Sequence, residues 1–121
     1  MRMSQRRREI FRNAIDEGRR ALRAGELDRA FAWFEQAHVI GQRWVAPHLL
    51  SHGEMLRVGW RRLDLREIAG QLLRLALVIP GTWAGRLPEG NTGGADVNPF
   101  RPMPIAADLR RLLAEADVDA R

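Results

Sequence analysis

Apolar residues recur every three or four positions along almost all of residues 4–79, and this spacing constrains the fold more than any other feature. It is the spacing of an amphipathic α-helix that buries one face. The pattern is interrupted at Gly25, at Pro47, which suits the first turn of a helix, and at Asp64, which with Glu67 forms a capping box. The sequence therefore predicts an all-α fold whose first four helices lie at about residues 4–23, 26–41, 47–62 and 65–79.

The short connections between these helices predict two antiparallel helical hairpins. The second helix of each hairpin alternates small and large residues with the same spacing, at Ala30, Phe34 and Ala37 and at Ala69, Leu73 and Ala76. Together with Gly18, this pattern resembles a tetratricopeptide repeat, best over residues 8–41 and less well over 45–79. The resemblance implies a tetratricopeptide-like four-helix unit. Because a self-standing solenoid needs at least three repeats, another segment must cover its open face.

The third and fourth helices carry further predictions about burial. The segment IAGQLLRLALVI, residues 68–79, is nearly all apolar, so the fourth helix is predicted to be the buried centre of the domain. On the third helix, His52 and Trp60 fall on the predicted inner face.

Residues 80–104 contain five Gly and five Pro, which forbids a regular helix or strand. A loop of this length is either functional or disordered, and its apolar residues favour a long ordered strap packed across the helices. The predicted anchors are Trp83, Leu87, Val97, Phe100, Met103 and Ile105. A C-terminal helix is predicted at about residues 105–116, and the chain, 1–121, is predicted to form a single helical domain.

Composition excludes several classes of protein. There is no Cys, which excludes disulfides, thiolate metal sites and cysteine nucleophiles. The longest uninterrupted apolar run, residues 75–80, is far shorter than the roughly 20 residues of a membrane span. Because no signal peptide pattern opens the chain either, we expect a cytoplasmic protein with no membrane association.

All 20 basic residues are arginine, and residues 1–23 contain eight of them against three acidic residues. This segment therefore carries the whole net charge of +5. Such a helix can bind nucleic acid phosphates. No recognised nucleic-acid-binding motif accompanies the arginines, so the pattern favours a solvated helix face.

All three histidines lie within fifteen residues. His48 and His52 are four apart, so one helix face presents both rings. Glu35 and His38 form the Glu-x-x-His pair that presents a carboxylate and an imidazole together in four-helix di-iron proteins. Antiparallel packing of the second and third helices would bring His38 close to His48. The pattern predicts a site for Zn, Ni, Cu or Fe with ligands His38, His48, His52 and Glu35, and Glu54 is a weaker outer candidate.

Other interpretations of the same residues remain open. Histidines on apolar helix faces are also common as hydrogen-bonded core residues, and Trp44 beside them would wall a ligand pocket. With structural histidines, the protein would be a tetratricopeptide-like interaction module that binds a protein partner or forms a homodimer. The chain has no Ser-His-Asp arrangement or cofactor fingerprint, so an enzyme is the weaker expectation and would have to be metal-dependent.

The segment GNTGGAD, residues 90–96, has two interpretations as well. Successive glycines allow positive φ and can align main-chain N–H groups into a nest for an anion. More often such a sequence forms a tight turn.

Several segments together are similar to a family of small bacterial proteins known only as a domain of unknown function. The matching segments are AHVIGQ (37–42), the histidines at 48 and 52, GQLLRLAL (70–77), GRLPEGNTGGADV (85–97) and PMPIAADL (102–109). The similarity covers most of the chain after residue 20. It implies no established catalytic role. It associates some members with metal-resistance gene neighbourhoods, so it favours the metal-binding interpretation. Our first expectation is therefore a small cytoplasmic metal-binding protein that serves as a sensor or carrier in metal homeostasis.

Overall fold

The computed structural model describes residues 2–84 and 88–118 and confirms the predicted all-α fold. Its helices are α1 Gln5–Arg23, α2 Leu27–Gly41, α3 Val45–Arg61, α4 Leu65–Trp83 and α5 Ala107–Val118. Within the two described ranges there is no strand. Consecutive helices from α1 to α4 pack against each other, and α5 packs on α1. The predicted antiparallel hairpins are thus present.

The first hairpin, α1 with α2, buries the alternating small and large residues as predicted. Ala30, Phe34 and Ala37 have no exposed surface. Gly18 lets the ring of Phe34 approach α1 so closely that an added methyl group would lie 2.4 Å from it. Gly25 has φ +77 and makes the turn between the helices, in a conformation that glycine adopts without strain.

The second hairpin, α3 with α4, differs from the prediction because α4 turns its apolar face outward. The prediction that α4 is the buried centre is wrong, since Leu72 and Leu73 are both 54% exposed. Ala69 and Ala76 are exposed as well, so the alternating pattern is not buried in α4. Trp60, predicted to lie on the inner face of α3, is 68% exposed.

The inward face of α4 is polar, and its hydrogen bonds explain the reversal. Glu67, Gln71 and Arg74 are buried on this face. All three bind main-chain atoms within residues 93–97. Because buried main-chain groups must be hydrogen-bonded, the irregular segment needs a polar partner, and α4 supplies it. Leu65, Leu72, Leu73 and Ile79 of α4 are left on the outside.

The irregular segment that crosses the helices, called the strap below, spans residues 88–106 in the described structure. It begins later than predicted and ends two residues later than predicted. α4 continues through Pro80 to Trp83. Proline lacks an N–H group, so it costs the helix one main-chain hydrogen bond, and only three residues of α4 follow it. α5 begins at Ala107, two residues later than predicted.

The strap is ordered around the fully buried side chain of Asn91. Its amide donates to two main-chain carbonyls of the strap, at residues 98 and 101. The predicted anchors Val97, Met103 and Ile105 are half-buried. Phe100 is 59% exposed, so its prediction as a buried anchor is wrong. Leu87 and the side chain of Trp83 lie outside the described part of the chain.

The GNTGGAD segment turns its main-chain N–H groups toward acceptors of the chain itself. Gly90 and Gly93 have positive φ. The N–H of Gly93 donates to Asn91 Oδ1, and the N–H of Ala95 donates to the Glu67 carboxylate. The anion bound at this turn is therefore a side chain of α4.

Arg7 departs from the prediction of a solvated arginine face on α1. It is 5% exposed, its Nε donates to the carbonyl of Ile40, and its Nη1 pairs with Asp117 at 2.8 Å. Leu113 and Ala116 are buried on the same side of α5. Arg7 thus joins α1 to α2 and α5. Across the described ranges, no helix is long and apolar enough to cross a bilayer.

Candidate metal centre

The three histidines of the chain meet between α2, α3 and the strap. His38 lies near the end of α2, and His48 and His52 lie one turn apart on α3. All three are buried, and one ring nitrogen of each lies within 4.8 Å of the others. A tetrahedral site with zinc–nitrogen bonds of about 2.0–2.1 Å requires nitrogens about 3.3 Å apart. The rings therefore lie close to a geometry that can hold a metal ion.

Hydrogen bonds at Nδ1 orient two of the three rings. His38 Nδ1 lies 2.7 Å from the main-chain carbonyl of Asn91, and His52 Nδ1 lies 2.6 Å from Gln71 Oε1. The Gln71 amide nitrogen donates to Glu67 at 2.7 Å and to the Gly93 carbonyl at 2.9 Å, which turns its oxygen toward His52. Histidine ligands of metals nearly always have such a partner on the second nitrogen.

These bonds fix which ring nitrogens carry protons. A carbonyl oxygen only accepts, so Nδ1 of His38 and of His52 must be the N–H donor. Each Nε2 then keeps a free lone pair. His48 Nε2 lies 2.9 Å from His38 Nε2, so in the metal-free protein His48 donates to His38. His48 Nδ1 is buried, and the main-chain group of Gln42 beside the ring does not reach the geometry of a full hydrogen bond with it.

Burial keeps the three imidazoles neutral. It lowers the pKa of His38 well below the ordinary value, and the neighbouring rings of His52 and His48 lower it further. Burial, with His52 beside it, lowers the pKa of His48 to about 4. The pKa of His52 is also lowered to about 4 by burial, although its hydrogen bond with Gln71 opposes the shift. At neutral pH all three rings are in the form that binds metals.

A cavity of about 50 Å³ lies against the three rings. Gln42 and Arg74 also line it, and much of the remaining wall is apolar, formed by Leu77, Val78, Pro99 and Phe100. The cavity is large enough for one or two water molecules at roughly 30 Å³ each. An ion held by three imidazoles would therefore keep an open coordination position that faces this space.

The two carboxylates considered from the sequence lie outside the histidine group. Glu35 faces a neighbouring cavity on α2, and burial raises its pKa. Glu54 is 4% exposed, but it pairs with Arg19 at 3.1 Å and Arg57 at 3.0 Å. The ligand set that the geometry supports is the three imidazoles.

Trp44, which the sequence suggested as a wall of the site, does not line this cavity. The Arg7 guanidinium lies over its ring at 5.0 Å from the centroid. Trp44 therefore packs at the junction of α1 and α3.

Sequence reasoning missed the residues that orient the histidines. Gln71 interrupts the apolar run 68–79, and a lone amide in such a run is a signal for a buried polar partner. Asn91 and Gly93 carry no signal of this kind, because their contacts with His38 arise only when the strap packs on α2. A methyl group added at Gly93 would lie 2.8–2.9 Å from three atoms of the His38 ring.

Comparison with known proteins gives one match. A family model described as "Protein of unknown function (DUF3703)" matches residues 5–113. No curated protein matches the chain, and no solved structure matches it.

Proposed function

We propose a function for this chain from the geometry of its site. The chain belongs to the DUF3703 family, whose description, protein of unknown function, names no activity. We propose a small cytoplasmic metal-binding protein that serves as a sensor or carrier in metal homeostasis. Its ligands are His38, His48 and His52.

The observation that supports this proposal is the pre-organised histidine cluster. Three buried imidazoles converge within 4.8 Å, and two of them are oriented by hydrogen bonds that they donate to Asn91 O and Gln71 Oε1. Core histidines that serve only packing would each satisfy both nitrogens with protein partners. Here Nε2 of His48 is paired only with the facing Nε2 of His38 at 2.9 Å, and Nδ1 of His48 lacks a full hydrogen bond. A cation at the centre would bind the facing nitrogens.

The donor set limits which metals fit. Imidazole nitrogen suits Zn, Cu, Ni and Fe, whereas Mg and Ca require oxygen ligands. Non-haem iron sites usually include a carboxylate, and the histidine group has none. Zinc, copper and nickel are therefore the favoured ions. Three histidines with an open position also form catalytic zinc sites, but a cavity of about 50 Å³ would admit only a very small substrate.

Isothermal titration with Zn²⁺, Ni²⁺ and Cu²⁺ tests the proposal. The chain has three histidines and no cysteine, so imidazole-dependent binding can come only from this cluster. We expect one ion per chain for the parent protein and a large loss of affinity for His38→Gln, His48→Gln and His52→Gln. Glu35→Gln should bind like the parent.

Circular dichroism of each variant separates a lost ligand from a lost fold. A variant that stays helical but loses metal binding supports the proposal. A folded parent protein that binds none of the three ions would exclude it, and the histidines would then be structural.

The exposed apolar face of α4 favours a second function, self-association. Leu65, Leu72 and Leu73 are 78%, 54% and 54% exposed, and Arg66 is the one charged side chain among the exposed residues of α4. A face with almost no charge can pair with its own copy across a two-fold axis, since little like-charge repulsion opposes it. Sedimentation equilibrium of the parent and of Leu72→Glu tests this. A monomeric parent protein would exclude a homodimer.

A further inference from the structure

The histidine cavity gathers most of the unsatisfied polar atoms of the molecule. In the described ranges, four buried side-chain polar atoms have no hydrogen-bond partner. Three of them, Gln42 Oε1, His48 Nδ1 and Arg74 Nε, belong to residues that line this one cavity. Buried polar groups are nearly always paired with protein, water or a ligand, so an unpaired group requires an explanation. These unpaired groups can therefore serve as hydrogen-bonding contacts for a ligand of this cavity.

Arg74 supplies a positive charge with a free donor. Its residue is only 7% exposed, and its two terminal nitrogens already donate to the carbonyls of Gly70 and Val97. The Nε–H remains without an acceptor. An N–H of a guanidinium prefers a negatively charged oxygen as its acceptor. Of the three unpaired groups, Arg74 thus specifies an anion.

The charge of the proposed metal leads to the same conclusion. Three neutral imidazoles leave a divalent ion with its full charge, and Arg74 adds another. None of the described residues that line the cavity is acidic. Two carboxylates interact with Arg74 from outside the cavity: Glu67, which is already bound by Gln71 and by the N–H of Ala95, and Asp96, which is exposed to solvent. Because a buried charge is costly without a counter-charge, an exogenous anion is favoured at this position.

We propose that this cavity binds a small oxyanion of the hydrogencarbonate class as the fourth ligand of the metal. One oxygen would occupy the open coordination position, a second would accept from Arg74 Nε–H, and the O–H would donate to Gln42 Oε1. A cavity of about 50 Å³ suits an anion of three or four heavy atoms. This inference rests on the proposed metal site.

Titration of the Co²⁺-loaded full chain with anions tests the inference, because visible absorption of cobalt reports a change in its ligands. The probes are hydrogencarbonate, formate and nitrate, at one pH and constant ionic strength. We expect saturable spectral changes, with hydrogencarbonate bound most tightly because it alone has both an anionic oxygen and an O–H. Arg74→Gln should weaken anion binding by roughly tenfold to a hundredfold, the value of a hydrogen bond to a charged group.

Two further variants serve as controls. Arg29→Gln removes an exposed arginine that pairs with Glu26 on the surface, so it changes net charge equally and should leave anion affinity unchanged. Gln42→Leu should abolish the preference for hydrogencarbonate over formate while Arg74 is still present. It therefore keeps the inference testable if Arg74→Gln does not fold.

The outcomes separate this inference from the metal proposal. If the chain binds no Co²⁺, the metal site is excluded and this inference with it. If Co²⁺ binds and the spectrum stays unchanged at any anion concentration, only the oxyanion inference fails. It also fails if Arg74→Gln binds hydrogencarbonate as tightly as the parent.

Discussion

Gly93→Ala is expected to damage the metal centre without removing any ligand. The new methyl group would lie 2.8 Å from the His38 ring, where an ordinary contact is at least 3.4 Å, so the ring must move by about 0.6 Å. The ring has little freedom, because Asn91 O lies 2.7 Å from one nitrogen and His48 Nε2 lies 2.9 Å from the other. A move of this size would break at least one of these contacts.

Gly25→Ala is the matched control for this variant. Gly25 has φ +77 and Gly93 has φ +82, so both substitutions place alanine in the left-handed region, at a cost of about 1–2 kcal/mol. An added methyl group at Gly25 meets no atom within 4 Å. Overpacking at Gly93 should add about 1–3 kcal/mol. We expect Gly93→Ala to lower the free energy of unfolding by about 2–5 kcal/mol, and Gly25→Ala by about 1–2 kcal/mol.

Urea unfolding followed by circular dichroism measures the stability of both variants, and isothermal titration measures their Zn²⁺ affinity. Metal–ligand distances tolerate only about 0.2 Å, so the displaced ring should weaken zinc binding by roughly 10–100-fold in Gly93→Ala. Gly25→Ala should bind zinc like the parent. Equal stability of the two variants, together with parental zinc affinity in Gly93→Ala, would refute the proposed contact between the strap and the ring.

Three further predictions concern the pH dependence of stability, proton release on zinc binding and the second nitrogen of His52. The pKa values of His48 and His52 fall from 6.5 in the unfolded chain to about 4 in the fold, so stability is full above pH 6.5 and is lost as pH falls toward 4. The free energy of unfolding should fall by on the order of 3 kcal/mol per histidine, which urea unfolding at each pH measures. A free energy of unfolding that does not change with pH would contradict the burial of these histidines. For the same reason, titration of Zn²⁺ at pH 6 in two buffers of different ionisation enthalpy should give almost no proton release from the histidines, whereas ordinary pKa values near 6.5 would release roughly 0.8 proton per histidine. Gln71→Leu should weaken zinc binding by roughly 10–100-fold, which titration of a folded variant measures, and parental affinity would mean that Gln71 does not orient His52.

The histidine cluster could be predicted from sequence because its spacing is local. His48 and His52 lie on one face of α3 because they are four residues apart in a helix. The short turn after α2 brings His38 beside them. The hydrogen bonds that orient the rings depend on Asn91 and Gln71, which lie 53 and 19 positions from their partners. No periodicity encodes such contacts.

The orientation of α4 could not be predicted because its two faces were judged by hydrophobicity alone. Apolar residues far outnumber Gln71 and Arg74 within the segment 68–79, so the pattern favoured burial of Leu72 and Leu73. The strap reversed the outcome, since its main chain needs the hydrogen bonds of Glu67, Gln71 and Arg74. The energetic requirement came from a segment with no regular structure.

The attachment of His38 to Asn91 also determines when the centre can exist. These residues are separated by 53 positions, so their contact must close a long loop, whereas α2 and α3 form through hydrogen bonds between residues four apart. Contacts of such separation usually form late in folding. The helices can therefore assemble before the ring of His38 is oriented. An ion that requires the oriented ring would bind only after the strap has packed, and it would then stabilise the packed strap. In hydrogen exchange, bound zinc should then slow the amides of residues 91–97 more than those of α1.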